Sequence, residues 1–427
     1  MSGVGWGGQG GSGARERINL MAGSQGDRLG IYISIPFCRS KCTYCNFASG
    51  VYPASDHERY VDRVIEDMGA AGAWATGMGV ELPRRVDTIY LGGGTPSLLA
   101  PELIARLFTA LRAEFVLEPD AEVTVECAPG QLGDDSLEAL AAQGVNRVSL
   151  GVQSFIDREA QVSGRLHTRA VVMDDLRRLR AAGIANLNLD LIAGLAGQTS
   201  DSWEESLAVL IDTGVPHASV YMLEVDEDSR LGREMLAGGA RYHAGLVPSD
   251  DTIAGMYERA VDRLASAGLE QYEISNFGRR GLHSRHNLRY WQRRPYLGLG
   301  LDASSMLREP DGTGPGYVLR ATTTDDLKAY LAGPEAAETA WLSPQRQHEE
   351  AWFLGLRLNA GVEPAALRQE FGLEPVARAL ETTGRLVESG LLTSDGETVR
   401  LTARGRLLSN DVFQEFLETA AEETAIL

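Results

Sequence analysis

The sequence predicts an α/β protein: a partial (β/α)6 barrel similar to a TIM barrel, followed by a C-terminal winged-helix-like α+β domain. Between residues 31 and 223, short apolar runs typical of strands alternate with helical patterns. This alternation indicates a parallel sheet, because right-handed βαβ crossovers connect parallel strands most readily. After residue 341 the pattern changes to short helices and a hairpin signal. An open doubly wound sheet is the alternative to the barrel.

The composition divides the chain into four segments. They are a flexible Gly-rich tail (1–28), the core barrel (29–245), a barrel extension (246–340) and the C-terminal domain (341–427). The tail is dominated by Gly, Ser and charge, so it cannot bury enough apolar surface to offset the entropy of ordering. The start codon is Met1 or Met21, and the sequence leaves this choice open.

The barrel elements follow from periodicity. The predicted strands are Ile31–Ile35, Val86–Leu91, Val123–Cys127, Arg147–Val152, Leu187–Ile192 and Ala218–Leu223. The predicted helices lie around Val61–Met68, Pro101–Phe115, Asp134–Gln143, Ala170–Ala182 and Ser202–Thr213. The strands read as near-continuous apolar runs, as expected when helices cover both faces of a parallel sheet. Because chemistry gathers at the carboxyl ends of such strands, we expect the site there.

The rest of the chain is assigned by the same rules. Residues 224–255 are acidic and predict a loop, and the polar stretch His283–Trp291 is left without an element. A helix is expected at Ile253–Ala267 and a strand at Gln271–Ser275. The C-terminal domain is predicted as helices Gln347–Leu358, Glu363–Phe371 and Val376–Glu388, followed by a hairpin over Leu391–Leu401.

Charge and composition exclude several classes of protein. The 427 residues include 40 Lys and Arg against 59 Asp and Glu, a formal net charge of -19. This balance argues against nucleic-acid binding, which needs clustered cations, and acidic residues outnumber arginines in the C-terminal domain as well. No apolar run is long enough to predict a transmembrane helix. Four cysteines and no signal-peptide pattern predict a reducing, cytoplasmic setting.

Three of the four cysteines form the strongest motif. Cys38, Cys42 and Cys45 have the spacing C-x3-C-x2-C directly after the first predicted strand. A structural zinc site needs four ligands, and three exposed free thiols would be prone to oxidation. Three thiolates can instead hold three irons of a 4Fe-4S cluster, which leaves the fourth iron open to another ligand. Cys127 is interpreted as a small buried apolar residue.

The stretch from Tyr32 to Cys45 resembles the cluster motif of the radical SAM superfamily. Within that superfamily it is similar to the oxygen-independent coproporphyrinogen III oxidase family, which includes the HemW-type heme chaperones. The resemblance covers the chain from about Gly30 to the C-terminus. It implies a barrel of the radical SAM type, a HemN-type C-terminal domain and a site for S-adenosylmethionine. The residues that it assigns to this cofactor are Tyr32, Tyr44, Gly93, Gly94, Thr95, Glu126, Gln153, Arg165 and Asp190.

These residues also have simpler interpretations when each is taken alone. The segment Leu91–Ser97 contains three glycines, which suit a tight turn as well as a ligand cradle. Glu126 at a strand end is typical of a solvated carboxylate. Asp190 lies inside an apolar strand, where an unpaired charge is costly, so it needs a partner. By resemblance, Arg165 would pair with the methionyl carboxylate, which suits its planar fork.

Two features indicate the HemW-type branch. The oxidase branch continues its motif to a fourth cysteine, and Phe47 occupies that place here. The segment His286–Trp291 matches the H-N-x-x-Y-W pattern of the chaperone branch. His286 is either a hydrogen-bonded loop residue or a heme contact, since imidazole is a common ligand of heme iron.

Three positions depart from the family pattern. Ser34 and Ser304 replace histidines, and Ala196 replaces a proline. The first two replacements remove imidazoles and so weaken any role of these positions in proton transfer or heme ligation. The third only loosens a turn.

The resemblance implies a cytoplasmic heme chaperone that binds a 4Fe-4S cluster, S-adenosylmethionine and heme as cargo. Its implied partners are heme-accepting proteins and an electron donor such as flavodoxin or ferredoxin, with transient contact to membrane proteins. The alternative is a radical SAM enzyme, acting on coproporphyrinogen III or as a cyclopropanase or methyltransferase. The missing cysteine at Phe47 argues against coproporphyrinogen oxidation, and no catalytic residue is assigned.

Overall fold

The computed structural model of the chain describes residues 28–227, 229–310, 316–333 and 338–417. The predicted tail therefore lies outside the described residues except for Arg28, and so does the choice between Met1 and Met21. In the part of the chain that is described, no helix is long and apolar enough to cross a membrane.

Six parallel strands form the barrel and lie side by side in sequence order. They are β1 (Leu29–Ile35), β2 (Arg85–Gly93), β3 (Val116–Cys127), β4 (Arg147–Gln153), β5 (Asn186–Ala193) and β6 (His217–Met222). The helices between them are α1 (Ala54–Met78), α2 (Pro101–Glu114), α3 (Asp134–Ala142), α4 (Asp157–Val162), α5 (Arg169–Ala181) and α6 (Ser200–Asp212). Because the strand order never reverses, the sheet has no switch point of a doubly wound fold, and the barrel prediction is confirmed.

The extension adds strands to both edges of the same sheet. The elements that follow β6 are α7 (Arg230–Leu236), which still belongs to the predicted core segment, and then α8 (Asp250–Ser266), β7 (Glu270–Gln271), β8 (Asn276–Gly278), α9 (Arg285–Trp291), β9 (Tyr296–Leu299), β10 (Ser304–Arg308), β11 (Val318–Thr322), α10 (Leu327–Ala332) and β12 (Glu338–Leu342). Strand β8 pairs antiparallel with β6, and β9 pairs parallel with β1. The twelve-stranded sheet ends in β7 and β12, so the barrel is partial.

The extension differs from the sequence prediction in three places. The expected loop over residues 224–255 contains α7, a 3-10 helix over Arg241–Leu246 and the start of α8. Serine caps explain the two α-helices, since Ser229 and Ser249 accept the backbone N–H groups three residues ahead. The expected strand at Gln271–Ser275 is replaced by the two short strands β7 and β8. The polar stretch at His283–Trp291 forms α9.

The inner face of the barrel is polar. In β5, Leu187, Leu189 and Leu191 belong to the hydrophobic core, whereas Asn188 and Asp190 bond to polar groups inside the barrel. This differs from the near-continuous apolar runs that we expected. Asp190 is therefore not an isolated charge in an apolar strand, because it belongs to a polar lining.

Helix α9 lies against the amino-terminal ends of the barrel strands. The carboxylate of Glu122 in β3 accepts the backbone N–H groups of Arg285 and His286 at 3.0 Å each, as a capping carboxylate does. Arg289, whose side chain is fully buried, forms an ion pair with Asp87 of β2. The helix is thereby fixed at the end of the barrel opposite to the carboxyl ends of the strands.

The C-terminal segment has a hydrophobic core of its own around Trp352. Its elements are α11 (Pro344–Arg357), α12 (Pro364–Phe371), α13 (Leu373–Glu388), β13 (Leu392–Ser394), β14 (Val399–Leu401), α14 (Ala403–Leu407) and α15 (Ser409–Gln414). The predicted helices and hairpin are present, and α14 and α15 are additional. Arg293 of the extension binds both carboxylate oxygens of Glu370, which ties this segment to the barrel. The four domain boundaries stay predictions.

Candidate functional site

A cavity of about 310 Å³ lies at the carboxyl ends of the barrel strands. It brings together most of the residues that the sequence predicts for the site. These lining residues are Cys38, Cys42, Cys45, Tyr44, Gly93, Gly94, Thr95, Glu126, Gln153, Arg165 and Asp190. Tyr32 and His286 do not line it. The expectation that the site lies at the carboxyl ends of the strands thus agrees with the geometry.

The three cysteines stand on the loop after β1, which backbone hydrogen bonds hold in place. The N–H of Cys38 donates to the carbonyl of Gly50 at 2.8 Å, and the N–H of Thr43 donates to Ser163 at 3.1 Å. The Thr95 hydroxyl lies 3.9 Å from the sulfur of Cys38, and the Ser49 hydroxyl lies 3.9 Å from that of Cys45. Hydroxyl groups beside thiolates are suited to hydrogen-bond sulfurs bound to a metal cluster.

The glycine segment after β2 lies directly against the cysteine loop. The N–H of Gly94 donates to the carbonyl of Ile35 at 2.9 Å, and a Cβ on Gly94 would lie 2.8 Å from that oxygen. Gly93 has a φ of 97°, in the left-handed region that favours glycine. These two positions therefore need glycine for the turn itself, and the turn leaves the adjacent cavity open.

Glu126 is held at the end of β3 by a residue that the sequence analysis did not single out. The phenol of Tyr90 donates to its Oε1 at 2.8 Å, and the backbone N–H of Gly93 also bonds to the carboxylate. Burial raises the pKa of Glu126 to about 7, against the effect of these bonds. The carboxyl group can thus be either an acceptor or a donor near neutral pH.

Arg165 enters the cavity over a glycine in β4. A Cβ on Gly151 would lie 2.3 Å from a terminal nitrogen of Arg165. The arginine therefore occupies space that the side chain of any other residue at position 151 would fill. Tyr44 hydrogen-bonds to the guanidinium group. Burial opposes the charge of Arg165, but nearby Tyr44, Cys42 and Asp190 raise its pKa above the ordinary value. Within the described residues its Nε has no partner, which leaves it available to an anionic ligand.

Gln153 and Asp190 complete the polar wall. Gln153 has a φ of 68°, an unusual conformation for a residue other than glycine, and its buried Oε1 has no partner among the described residues. Asp190 accepts from Asn188 at 2.6 Å and from Ser149 at 3.1 Å. Burial raises the pKa of Asp190, and these bonds oppose that rise. The alternation of Asn and Leu in β5 was the signal that could have predicted these partners.

Tyr32 and His286 lie deeper in the barrel, below the cavity. The ring of Tyr32 stacks on that of Tyr90, with 6.1 Å between the ring centroids. Tyr32 is therefore connected to the site through Tyr90, which bonds to Glu126. His286 is 1% exposed, with Nδ1 3.0 Å from the Thr88 hydroxyl and Nε2 2.8 Å from the Tyr290 hydroxyl. Its role as a heme contact stays a prediction, and it would require the imidazole to give up one of these bonds.

The side chains of the cavity fit the cluster and cofactor that the sequence implies. The thiols of Cys38, Cys42 and Cys45 line the cavity from the loop after β1, Cys127 lines it from the end of β3, and no described histidine lines it. The fourth cysteine, Cys127, is 4% exposed and belongs to the hydrophobic core, and burial raises its pKa to about 12. A thiol of such high pKa is a poor metal ligand, which agrees with its interpretation as a core residue. The unpartnered atoms of Arg165 and Gln153 suit a polar ligand beside the three cysteines.

Comparisons with known proteins decide the family. A Radical SAM superfamily profile matches residues 32–210, and a HemN C-terminal domain profile matches residues 342–408. Heme chaperone HemW of Lactococcus lactis is 35% identical over 386 residues, which cover 90% of this chain and 96% of that protein. Heme chaperone HemW of Escherichia coli is 32% identical over 397 residues, covering 91% and 98%. The chain belongs to the HemW family. The predicted membership is therefore confirmed.

A solved structure confirms the fold of this HemW-family chain. Coproporphyrinogen III oxidase (HemN) from Escherichia coli, a radical SAM enzyme, aligns with a TM-score of 0.76 at 23% identity, covering 91% of this chain and 90% of that one. Such a likeness concerns the fold alone. Membership of the radical SAM superfamily implies a 4Fe-4S cluster and S-adenosylmethionine, the two groups that the cavity residues fit.

Proposed function

We propose that this chain is a heme chaperone that binds a 4Fe-4S cluster, S-adenosylmethionine and heme, and that it passes heme to acceptor proteins. The similarity to curated heme chaperones over about nine-tenths of the chain is the observation that carries this proposal. Phe47 also supports it, because this residue stands where the oxidase branch has its fourth cysteine. Its side chain is 61% exposed beside the loop that carries the three cysteines.

Cys38, Cys42 and Cys45 would hold the cluster as thiolates. Their loop is tied to α4 by the Thr43–Ser163 bond and to α7 by a bond from the N–H of Leu231 to the carbonyl of Thr43 at 2.8 Å. Three protein ligands leave one iron open, as binding of a cofactor to the cluster requires. Fixing the loop from two sides keeps the three sulfurs oriented toward the same cavity.

The polar wall would orient S-adenosylmethionine. The guanidinium of Arg165 is suited to the methionyl carboxylate, and Glu126 and Asp190 are suited to the amino and hydroxyl groups of the cofactor. Gly93 and Gly94 would let the backbone approach the methionyl end. When the cluster and cofactor are bound, they supply reductive cleavage of the sulfonium C–S bond, and the chain contributes positioning and exclusion of water.

The surface around the cavity suits a protein partner. Phe47 and Leu166 are exposed at its mouth, at 61% and 66%, next to the cation of Lys41. Exposed apolar groups beside a charge are typical of a transient interface. We assign this mouth to an electron donor such as flavodoxin or ferredoxin, and the setting to the cytoplasm. Transient contact with membrane proteins that accept heme belongs to the same proposal.

One anaerobic experiment tests the function against the oxidase alternative. The reconstituted protein is given reductant, S-adenosylmethionine and coproporphyrinogen III, and the products are separated. We expect no protoporphyrinogen, together with stoichiometric binding of added heme in a parallel sample. The Cys38→Ser variant should lose the iron of the cluster, with Cys127→Ser as the matched control that retains it. Protoporphyrinogen formation at catalytic rates would overturn the proposal.

A further inference from the structure

A second cavity, of about 500 Å³, lies between α1 and the strands of the extension. None of the described residues lines both this cavity and the cofactor cavity. One wall is the outer part of α1, with Trp74 and Met78, and the other is formed from β9 to β11, with Leu297 and Leu299. Most lining side chains are apolar. The volume falls within the range of about 300–1,000 Å³ that is usual for cofactor pockets.

Small residues create this space. Ala70 and Ala71 line it from the helix, Gly298 and Ala321 line it from the strands, and Ala303 lines it from the loop before β10. Protein interiors are normally close-packed, and a helix on a sheet is usually separated from it by large aliphatic side chains. Small residues on both walls therefore keep a gap open that larger residues would have filled, which points to a ligand rather than to a packing defect.

The charged end of the cavity is formed by three linked groups. Arg63 pairs with Asp67 at 2.5 Å, and the Tyr330 phenol donates to the other oxygen of Asp67 at 2.5 Å. The Arg63 guanidinium lies 5.7 Å from the ring centroid of Tyr330. Among the described residues that line this cavity, Arg63 and Asp67 alone carry charge. Arg63 also pairs with Glu66 at 3.3 Å, so its charge is balanced until a ligand carboxylate replaces one of these partners. An apolar space that ends in such an arginine suits a large apolar molecule that carries carboxylates.

We propose that this cavity is the heme site of the chain, with the macrocycle between α1 and the strands, a propionate on Arg63, and the Tyr330 oxygen on the iron. The inference rests on the proposed chaperone function. Tyrosine oxygen is an established ligand of ferric heme. On binding, the O–H bond of Tyr330 breaks, its proton passes to the Asp67 carboxylate, and an Fe–O bond forms without any change in oxidation state.

Asp67 supports this exchange as the proton acceptor. Burial raises the pKa of Asp67, which favours its taking up a proton. Once Asp67 is neutral, Arg63 is released to pair with a carboxylate of the ligand. Burial together with Tyr60 and Asp67 raises the pKa of Tyr330, which opposes loss of its proton, so the bond to ferric iron has to drive this step.

Two other places suit heme less well. A cavity of about 810 Å³ at the mouth of the barrel shares Tyr44 and Tyr221 with the cofactor cavity, but Glu224, Asp226 and Asp411 line it and would repel propionates. His286 is enclosed between the barrel and α9, and both of its ring nitrogens are bonded. In the cavity beside α1 the one lining carboxylate, Asp67, is paired with Arg63 and accepts from Tyr330, so it can take up the proton of that phenol.

The test is a titration of the full-length protein with ferric heme, followed by absorbance and tryptophan fluorescence. Ala70 lines the cavity yet is exposed, so Ala70→Trp fills it with little cost to folding. Ala73→Trp, at an exposed position of the same helix that does not line the cavity, is the matched control. We expect at least a tenfold loss of heme affinity for Ala70→Trp and none for Ala73→Trp.

Two further variants test the iron ligand. Tyr330→Phe should retain heme but lose the tyrosinate-to-iron charge-transfer absorption, whereas His286→Ala should leave the spectrum unchanged. Unaltered affinity in Ala70→Trp, or loss of the heme spectrum in His286→Ala, would overturn the assignment while leaving the chaperone function intact. If the wild-type protein takes up no heme, the proposed function itself fails, and the site with it.

Discussion

Gly151 shows how a missing side chain positions a functional one. Its place in β4 makes room for the guanidinium of Arg165, which would otherwise be displaced from the wall of the cofactor cavity. The sequence predicted Arg165 by resemblance but gave no reason for the glycine, since the two residues meet only when the loop after α4 folds over the strand. Neighbours of this kind depend on tertiary contact and are not visible in local patterns.

We predict that Gly151→Ala weakens S-adenosylmethionine binding by about tenfold, equivalent to about 1.4 kcal/mol, because the new Cβ displaces Arg165. Isothermal titration of the reconstituted protein measures the affinity. Gly69→Ala is the matched control, since nothing lies within 4 Å of its new Cβ in the middle of α1. This control should bind the cofactor normally and gain about 0.5–1 kcal/mol of stability. Equal affinity in both variants would show that Arg165 does not bind the cofactor.

Glu126 predicts a pH dependence of cofactor binding. Its pKa is raised to about 7, so the carboxylate predominates above that pH and the neutral acid below it. If the carboxylate accepts from the cofactor amino group, affinity should rise between about pH 6 and pH 8 and then level off. Binding measured across this range should be flat and weaker in Glu126→Gln. A variant that keeps the wild-type profile would place the titrating group elsewhere.

At the scale of elements, α9 is the largest departure from the sequence prediction. The segment is rich in polar residues and gives no apolar stripe, so it was left without an element. Its helix depends on partners distant in sequence, namely Glu122 at its amino end and Asp87 beside Arg289. Helix propensity alone does not include such contributions.

We predict that Arg289→Met lowers the free energy of unfolding by about 3–5 kcal/mol, because it leaves the buried carboxylate of Asp87 without its main partner. The measurement is urea unfolding at neutral pH. Arg285→Ala is the control on the same helix. Its side chain is 39% exposed and, among the described residues, bonds to the exposed Asp120 alone, so the loss should be below about 1 kcal/mol. Similar losses in both variants would contradict the anchoring role of Arg289.

At the scale of the whole molecule, the sequence predicted the six parallel strands but not the strands β9 to β12. The barrel strands repeat at short intervals with helices between them, which periodicity detects well. Strand β9 pairs instead with β1, at the other end of the barrel sequence, and no local pattern specifies such a partner. The extension that was missed forms one wall of the cavity beside α1.

Most of the residues predicted for the cofactor site lie in one cavity, and their roles there stay predictions. Motif spacing at Cys38, Cys42 and Cys45 and the resemblance named side chains that the fold brings into one cavity. Tyr90, Ser149 and Asn188 were missed, because each acts by orienting another residue across neighbouring strands. The alternation of polar and apolar residues along β5 could have indicated these partners. It can be interpreted in this way only once β5 is known to line the inside of a barrel.

The central claim, that this chain carries heme, is tested most directly by titrating the anaerobically reconstituted protein with ferric heme and following the Soret absorbance. The account predicts a saturable complex of one heme per chain that survives gel filtration. Absence of saturable binding at micromolar heme, in protein that has its full complement of cluster iron, would contradict it.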